Sequence, residues 1–450
     1  MKRKHLFTHG IINLFHCLLE GWIPIEGIVE RERAILVSCG SKLHEWELRS
    51  SLEELASLAD TADAEVIEQV IQFRDRKDRA WLVGKGKAEE IAQLVEDLEV
   101  DLVIFDQELI PSQIKHLEGL INAKVIDRTQ LILDIFAGRA QTKEGRLQVE
   151  LAQLQYMLPR LVGKRRELSR LGGGIGTRGP GEKKLETDRR HIRRQIDILK
   201  HDLEEVRKHR RLHQARRKKQ AVMQVSLVGY TNAGKSTLLN HLTESEVLAE
   251  DKLFATLDPT SRKLDLSNGQ EALLTDTVGF IRNLPHQLVA SFRSTLEQVT
   301  EADLLLHVVD ASHPESSEQM KVVEGILEEL GAAHIPTLIV FNKVDQMAER
   351  SIQDELEERE GNRMMVSAFN QSDLERLKEK IEELLYQHDF KGTVSFSVEK
   401  GDWISALYRH AEILHSETED LEISFQYRLP RNKVSSLPKD LREKMQLGNK

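Results

Sequence analysis

Gly229-Tyr230-Thr231-Asn232-Ala233-Gly234-Lys235-Ser236 decides the fold of this chain. The stretch matches the phosphate-loop pattern G-x-x-x-x-G-K-[ST] at every constrained position. The apolar run Gln224-Val225-Ser226-Leu227-Val228 precedes it and reads as a buried strand, and Thr237-Leu238-Leu239-Asn240-His241-Leu242 follows as a helix. A glycine-rich turn between strand and helix aims backbone N–H groups at one point, where the helix dipole adds partial positive charge. Such a point binds phosphate. Lys235 is placed to reach β- and γ-phosphate, and the Ser236 hydroxyl to ligate Mg2+. The context predicts an α/β nucleotide domain with a mostly parallel sheet and flanking helices.

A phosphate loop alone does not choose between ATP and GTP. Asn342-Lys343-Val344-Asp345 follows the apolar strand Pro336-Thr337-Leu338-Ile339-Val340-Phe341 and matches the N-K-x-D element of regulatory GTPases. Guanine presents an N1–H and a 2-amino group side by side. The Asp345 carboxylate can accept both, and adenine has no such donor pair. Asn342 is expected to brace the phosphate loop and the Lys343 stem to lie along the base. Ser367-Ala368-Phe369, after Met364-Met365-Val366, fits the last GTPase element, whose backbone amide approaches the guanine O6.

Asp276-Thr277-Val278-Gly279 matches the D-x-x-G switch element, with Asp276 near Mg2+ but outside its direct ligands and the Gly279 N–H at the γ-phosphate. Between the two phosphate elements lies Phe254-Ala255-Thr256-Leu257-Asp258-Pro259-Thr260. Thr256 is the first candidate for the switch threonine that closes on Mg2+ when γ-phosphate is present, and Thr260 the second. Lys235, Thr256 and Gly279 are thus the expected catalytic contacts. Residues 229–236, 254–258, 276–279, 342–345 and 367–369 are the expected nucleotide site. Ras-like GTPases follow the D-x-x-G glycine with a Gln that orients the attacking water. Phe280 stands there instead, so slow unassisted hydrolysis is expected. Asn232 offers a K+ site where an arginine finger would act; its alternative role is to brace the loop.

The 450 residues allow about three domains. Residues 31–137 alternate apolar strands (Ala34–Val37, Leu102–Phe105) with a helix at Ala88–Val95, as in a small α/β domain. Gly84-Lys85-Gly86-Lys87 reads as a helix-entry turn. Residues 138–220 carry two helical seams: Leu147, Leu151, Leu154, Leu158, Leu161, and Ile192, Ile196, Leu199, Leu203, Val206. Both use 4-3-4-3 spacing and mirror each other about residues 176–177. They predict an antiparallel helical hairpin with a glycine-rich tip at 172–181, held about 45 Å from its base by arms of about 30 residues. Residues 221–388 form the nucleotide domain and 389–450 a small α+β domain. In the latter, 393–398 and 421–425 read as strands, 403–414 as a helix, and the polar end beyond Pro430 as frayed.

The net charge of −10 hides an asymmetry. Residues 160–219 carry 21 Lys/Arg against 8 Asp/Glu, which leaves the rest of the chain at −23. A basic segment on an acidic protein points to a polyanion partner. Arg160, Arg170, Arg178, Lys183, Lys184, Arg189 and Arg190 cluster toward the tip as candidate nucleic-acid contacts. No aromatic residues accompany them at the tip, which favours folded, phosphate-dense RNA or DNA over single strands. Two cysteines exclude a disulfide framework and fit a reducing compartment. No run of 18 apolar residues exists, so a transmembrane helix is not expected. Residues 1–30 loosely resemble a signal peptide. Polar interruptions and the lack of a small-residue cleavage site make them read as an extension instead.

The phosphate loop, Phe254–Thr260, Asp276–Ile281 and the glycine-rich Gly172–Glu182 together resemble the HflX family of translation-factor-related GTPases. The resemblance covers most of residues 31–390. It implies a monomeric, cytoplasmic GTPase, peripheral at the membrane in some settings, that binds the large (50S) ribosomal subunit. Members in the GTP state help to separate stalled or idle 70S ribosomes under heat stress, the hairpin tip approaching the peptidyl-transferase region. Some members also hydrolyse ATP, but no Walker element in residues 31–137 supports that here. A ribosome-assembly checkpoint suits the basic hairpin equally well. A GTP-regulated protein scaffold suits it less, because of the basic excess.

Overall fold

A computed structural model describes residues 31–160, 180–220, 222–243, 252–266, 271–283, 299–347, 362–386, 390–419, 421–429, 434 and 436–446; for 180–186, 188 and 209–220 it describes the backbone alone. The extension 1–30, the tip residues 172–179, Leu161, Arg170 and Arg178 lie outside the described residues.

The N-terminal unit is a four-stranded parallel sheet. It comprises β1 (Glu32–Gly40), α1 (Glu45–Thr61), β2 (Ala64–Phe73), α2 (Lys85–Asp97), β3 (Leu102–Phe105), α3 (Pro111–Leu120), β4 (Lys124–Asp127) and α4 (Arg128–Arg139). The strand order is β2-β1-β3-β4. Alternation along β1 divides its apolar residues between two faces. Ile35 and Val37 join a core under α2 and α3, while Ala34 and Leu36 join one under α1 and α4. Leu52, Leu55, Leu58 and Ala59 put the buried stripe of α1 at helical spacing. Each fully buried leucine contributes about 1.5–3 kcal/mol. Asp127 ends β4 and caps α4, its side chain accepting from the Gln130 N–H at 3.0 Å.

Helix α5 (Lys143–Arg160) and the 41-residue α6 (Pro180–Gln220) follow. They meet through Leu147, Leu151, Leu154 and Leu158 on one helix and Ile192, Ile196, Leu199 and Leu203 on the other. Arg160 differs from expectation. Its guanidinium lies over the Tyr156 ring, pairs with Asp127 at 3.1 Å and donates to the Leu109 carbonyl, so it braces the N-terminal unit rather than facing a partner. The end of α6 leads within three residues into the nucleotide domain.

That domain comprises β5 (Met223–Gly229), α7 (Lys235–Thr243), β6 (Thr260–Asp265), β7 (Glu271–Asp276), β8 (Leu304–Asp310), α8 (Ser316–Glu329), β9 (Thr337–Asn342), β10 (Arg363–Met365) and α9 (Gln371–Leu385). The sheet order is β10-β9-β8-β5-β7-β6, with β6 alone antiparallel. Central strands bury both faces, under α7 and α9 on one side and α8 on the other, and so read as unbroken apolar runs. The core that holds α1 and α4 does not stop at the N-terminal unit. It continues through Phe254, Leu257, Phe280 and Ile281 of the nucleotide domain.

The C-terminal unit is an antiparallel sheet of β11 (Phe390–Ser397), β12 (Glu412–Glu419) and β13 (Glu422–Leu429), ordered β11-β13-β12. Helix α10 (Gly401–His410) is shorter than the expected 403–414 helix, because β12 begins at Glu412. The end is not frayed throughout: α11 (Lys439–Lys444) and its flanks bury Leu437, Leu441 and Met445 in the core with Phe425. Three apolar residues at i, i+4 and i+8 suffice for one buried helix face even where the composition is polar.

Candidate nucleotide site

The phosphate loop is shaped by two glycines. Gly229 (φ +154°) lies so close to the Val308 carbonyl that a side chain would overlap it, and Gly234 (φ +90°) lies against the Asn342 amide in the same way. Asn342 donates from Nδ2 to the Ala233 carbonyl at 3.0 Å, which realises the expected brace. Asn232 holds a left-handed φ of 60° and lines the pocket. Lys235 opens α7 and is 6% exposed. Its ammonium donates to the Tyr230 carbonyl at 2.6 Å and the Gly229 carbonyl at 3.2 Å. Burial pulls its pKa down to about 8, and Asp276 opposes that shift in part.

Ser236, Thr256 and Asp276 converge. The Ser236 hydroxyl donates to Asp276 Oδ2 at 2.6 Å, the Thr256 hydroxyl donates to the same oxygen at 2.9 Å, and the two hydroxyls are 2.9 Å apart. Asp276 is fully buried, and burial pushes its carboxyl up against the opposing effect of Lys235 and the two hydroxyls. Its Oδ1 and the Thr231 hydroxyl are buried without a hydrogen-bond partner among the described residues. Unpaired buried oxygens are costly, so these two suit a site that binds a polar or cationic group. Three clustered hard oxygens fit Mg2+. Gly279 lies against Thr231 and the Lys235 ammonium, leaving no room for a side chain. Thr260 begins β6 and stands opposite Asp276 in the ladder, outside the hydroxyl cluster.

The residues expected to meet the base are also brought together. The Ser367 hydroxyl donates to Asp345 Oδ1 at 2.6 Å and orients that carboxylate. The Ala368 amide donates to Asn342 Oδ1 at 3.2 Å, so this N–H supports the brace. Lys343 takes a left-handed φ of 63° and pairs with Asp310 at 2.8 Å, while Val344 packs against the cluster of Val309, Met320 and Phe341. Phe369 is 73% exposed and meets the His241 ring edge to face.

Six expected site residues send their side chains to other partners, although Thr277 and Phe254 still line the pocket. Thr277 donates its hydroxyl to the Leu227 carbonyl, and Val278 enters the core. Leu257 is buried in the shared core, and Phe254 packs edge to face on Phe136 of α4 at 4.7 Å. Asp258 turns to the base of α5, where its carboxylate accepts from the Gln141 and Thr142 amides, both at 2.8 Å. The Tyr230 ring likewise leaves the pocket: its hydroxyl donates to Glu54 Oε1 at 2.6 Å and accepts from the Arg282 N–H at 2.7 Å. Phe280 is 1% exposed, its ring in the core and its backbone laddered to Gly229 and Thr231.

Sequence reasoning missed the partners of these residues. Arg128 pairs with Glu54 at 2.6 Å and Asp106 at 3.0 Å. Burial works against its charge, but the two carboxylates outweigh it and hold the guanidinium protonated. Arg282 pairs with Glu315 at 3.0 Å and donates to Ser50. Lys252 lines the pocket mouth and reaches Asp63 at 3.2 Å. Only the position of Arg282, just beyond the D-x-x-G element, could have signalled any of them. Of the basic tip candidates, Arg189 and Arg190 lie on α6, Arg190 exposed; Lys183 and Lys184 are described in backbone only.

Residues 49–137 match the family described as GTP-binding GTPase N-terminal, 139–217 GTP-binding GTPase Middle Region, and 224–343 50S ribosome-binding GTPase. The chain is 51% identical over 396 residues to GTPase HflX of Caldanaerobacter subterraneus subsp. tengcongensis, covering 88% of this chain and 90% of the relative. This chain belongs to the HflX family of GTPases. It is 45% identical over 382 residues to GTPase HflX of Escherichia coli, covering 84% and 89% of the two chains. A solved GTP-binding protein of Sulfolobus solfataricus in complex with GDP covers 79% of this chain and 99% of its own, at 26% identity and a TM-score of 0.42. As an HflX-family protein the chain hydrolyses GTP. Among the described residues no helix is long and apolar enough to cross a membrane.

Proposed function

We propose that this GTPase binds the large ribosomal subunit in its GTP state and separates stalled or idle 70S ribosomes into subunits under stress. The continuous α6 carries the reading. Its 41 residues, about 60 Å at 1.5 Å per residue, place Arg189 and Arg190 on the same rod whose far end feeds β5 and the phosphate loop. A basic rod anchored at a nucleotide site can enter folded rRNA and be released by phosphate chemistry.

At the site, Asp345 reads the guanine donor pair and Lys235 neutralises the phosphates. Ser236 and Thr256 would hold Mg2+, with Asp276 behind them, and a metal there would neutralise phosphate charge. Thr256 and the Gly279 amide close on the γ-phosphate and leave when it departs. Phe280 offers no group to orient water, so turnover by the protein alone is slow and the ribosome or K+ near Asn232 supplies what is missing. The protein acts as a cytoplasmic monomer that also lodges peripherally at membranes.

Sucrose-gradient sedimentation of 70S ribosomes with the protein and a non-hydrolysable GTP analogue tests this. Loss of the 70S peak is expected. An unchanged peak contradicts splitting, and selective binding to immature large subunits would assign the protein to assembly instead.

A further inference from the structure

Thr256 and Asp258 lie two residues apart on one irregular segment but face opposite ways. Thr256 bonds Ser236 and Asp276 in the phosphate site. Asp258 Oδ2 accepts from the Gln141 and Thr142 amides, and Oδ1 accepts the Thr142 hydroxyl at 2.5 Å. Thr142 is itself the N-cap of α5, its Oγ1 accepting from the Gly145 amide at 3.0 Å. Gly145 sits so close to Asp258 Oδ1 that a methyl group there would displace the carboxylate. Three hydrogen bonds and one side-chain-free helix position thus build a socket for Asp258 at the foot of the hairpin. Leu257 and Phe254 seat the same segment in the shared core.

We propose that Thr142 and Asp258 are positioning residues for GTP: the socket holds the segment so that Thr256 reaches Ser236 and Asp276. Only two peptide units, about 7 Å of extended chain, join Thr256 to Asp258, so an anchored Asp258 restricts the positions that Thr256 can take. Occupation of the phosphate site and occupation of the socket are therefore coupled, and coupling is reciprocal. GTP that draws in Thr256 secures the first turn of α5. A socket that releases Asp258 loosens Thr256. The inference rests on the reading that Thr256 senses the γ-phosphate.

The test measures affinity of the full-length protein for a non-hydrolysable GTP analogue and for GDP, with Mg2+. Thr142→Val removes the hydroxyl but keeps the shape. It should weaken the GTP analogue about tenfold, the scale of a charge-assisted hydrogen bond, and leave GDP within about twofold. Thr142→Ser should restore the wild-type ratio, and Gly145→Ala should reproduce the loss. In the wild-type protein, amide exchange at Gln141, Thr142 and Gly145 should be slower with GTP analogue than with GDP, a readout that needs no variant. Thr256→Ala separates the two readings. If it alone lowers the GTP-to-GDP affinity ratio, and amide exchange is equal in both states, the socket proposal is overturned while the switch reading stands. If Thr256→Ala leaves the ratio unchanged, the switch reading has failed.

Discussion

The Tyr230 hydroxyl, from the second position of the phosphate loop, donates to Glu54 of the N-terminal unit at 2.6 Å. The same oxygen accepts from the Arg282 amide at 2.7 Å, and Arg282 follows the D-x-x-G element by three residues. One phenol therefore ties the phosphate loop, the second switch and the N-terminal unit together. Burial, and then the Glu54 charge, raise its pKa, so it stays a donor. Removing the hydroxyl as Tyr230→Phe leaves Glu54 short of a donor and the Arg282 amide without its acceptor. A loss of about 1–3 kcal/mol in nucleotide-free stability is expected by denaturant unfolding. Glu54→Ala should cost more, because buried Arg128 then keeps only Asp106 as carboxylate partner.

Lys235 makes a prediction about pH. Its pKa is lowered to about 8, below the ordinary 10.5, so between those values the unfolded chain holds the extra proton. Nucleotide-free stability should rise with pH across that window, its penalty being complete below about 8. Bound phosphates restore the charge, so nucleotide binding takes up a proton above pH 8. Affinity for GDP should fall by up to about tenfold per pH unit there. Calorimetry at pH 8.5 in buffers of different ionisation enthalpy should show uptake of up to one proton, and Lys235→Met should abolish it.

Phe280 is a packing residue by its surroundings. Phe280→Leu should leave intrinsic GTP turnover within about twofold, since the ring does no chemistry. Phe280→Gln should not create a Ras-like catalyst; it buries an amide in the core and should lower stability by several kcal/mol. Turnover in KCl against NaCl tests the cation reading of Asn232, and equal rates would remove it.

Asp345 is held by the Ser367 hydroxyl with its second oxygen left for a base. Asp345→Asn replaces an acceptor with a donor opposite the guanine 2-amino group. GTP affinity should fall by at least about a hundredfold. Xanthine carries a carbonyl where guanine carries that amino group, so xanthosine triphosphate should bind the variant better than GTP does. Competition against a fluorescent nucleotide reports both.

The sequence was most legible where function is carried by consecutive residues. The phosphate loop, N-K-x-D and D-x-x-G each declare themselves within eight positions, flanked by strands too apolar to mistake. The leucine seams of α5 and α6 were legible for the same reason, being periodic. Strand β12 was not, because most of its residues are exposed and polar, and neither was α11, whose three buried residues sit in a charged stretch. The directions of Tyr230 and Asp258 were beyond reach. Each is set by a partner more than a hundred residues away, and nothing in the motif distinguishes a side chain that faces phosphate from one that faces another unit.

The central claim is that the nucleotide pocket governs a basic rod that binds the ribosome. Co-sedimentation with large subunits, using GTP analogue, GDP and no nucleotide, tests it most directly with wild type and an Arg178→Ala/Arg189→Ala/Arg190→Ala variant. Wild type should pellet with the GTP analogue, far less with GDP, and lose binding steeply with salt. The variant should fail to pellet while its nucleotide affinity is unchanged. Equal binding in all three nucleotide states, or full binding by the variant, would contradict the account.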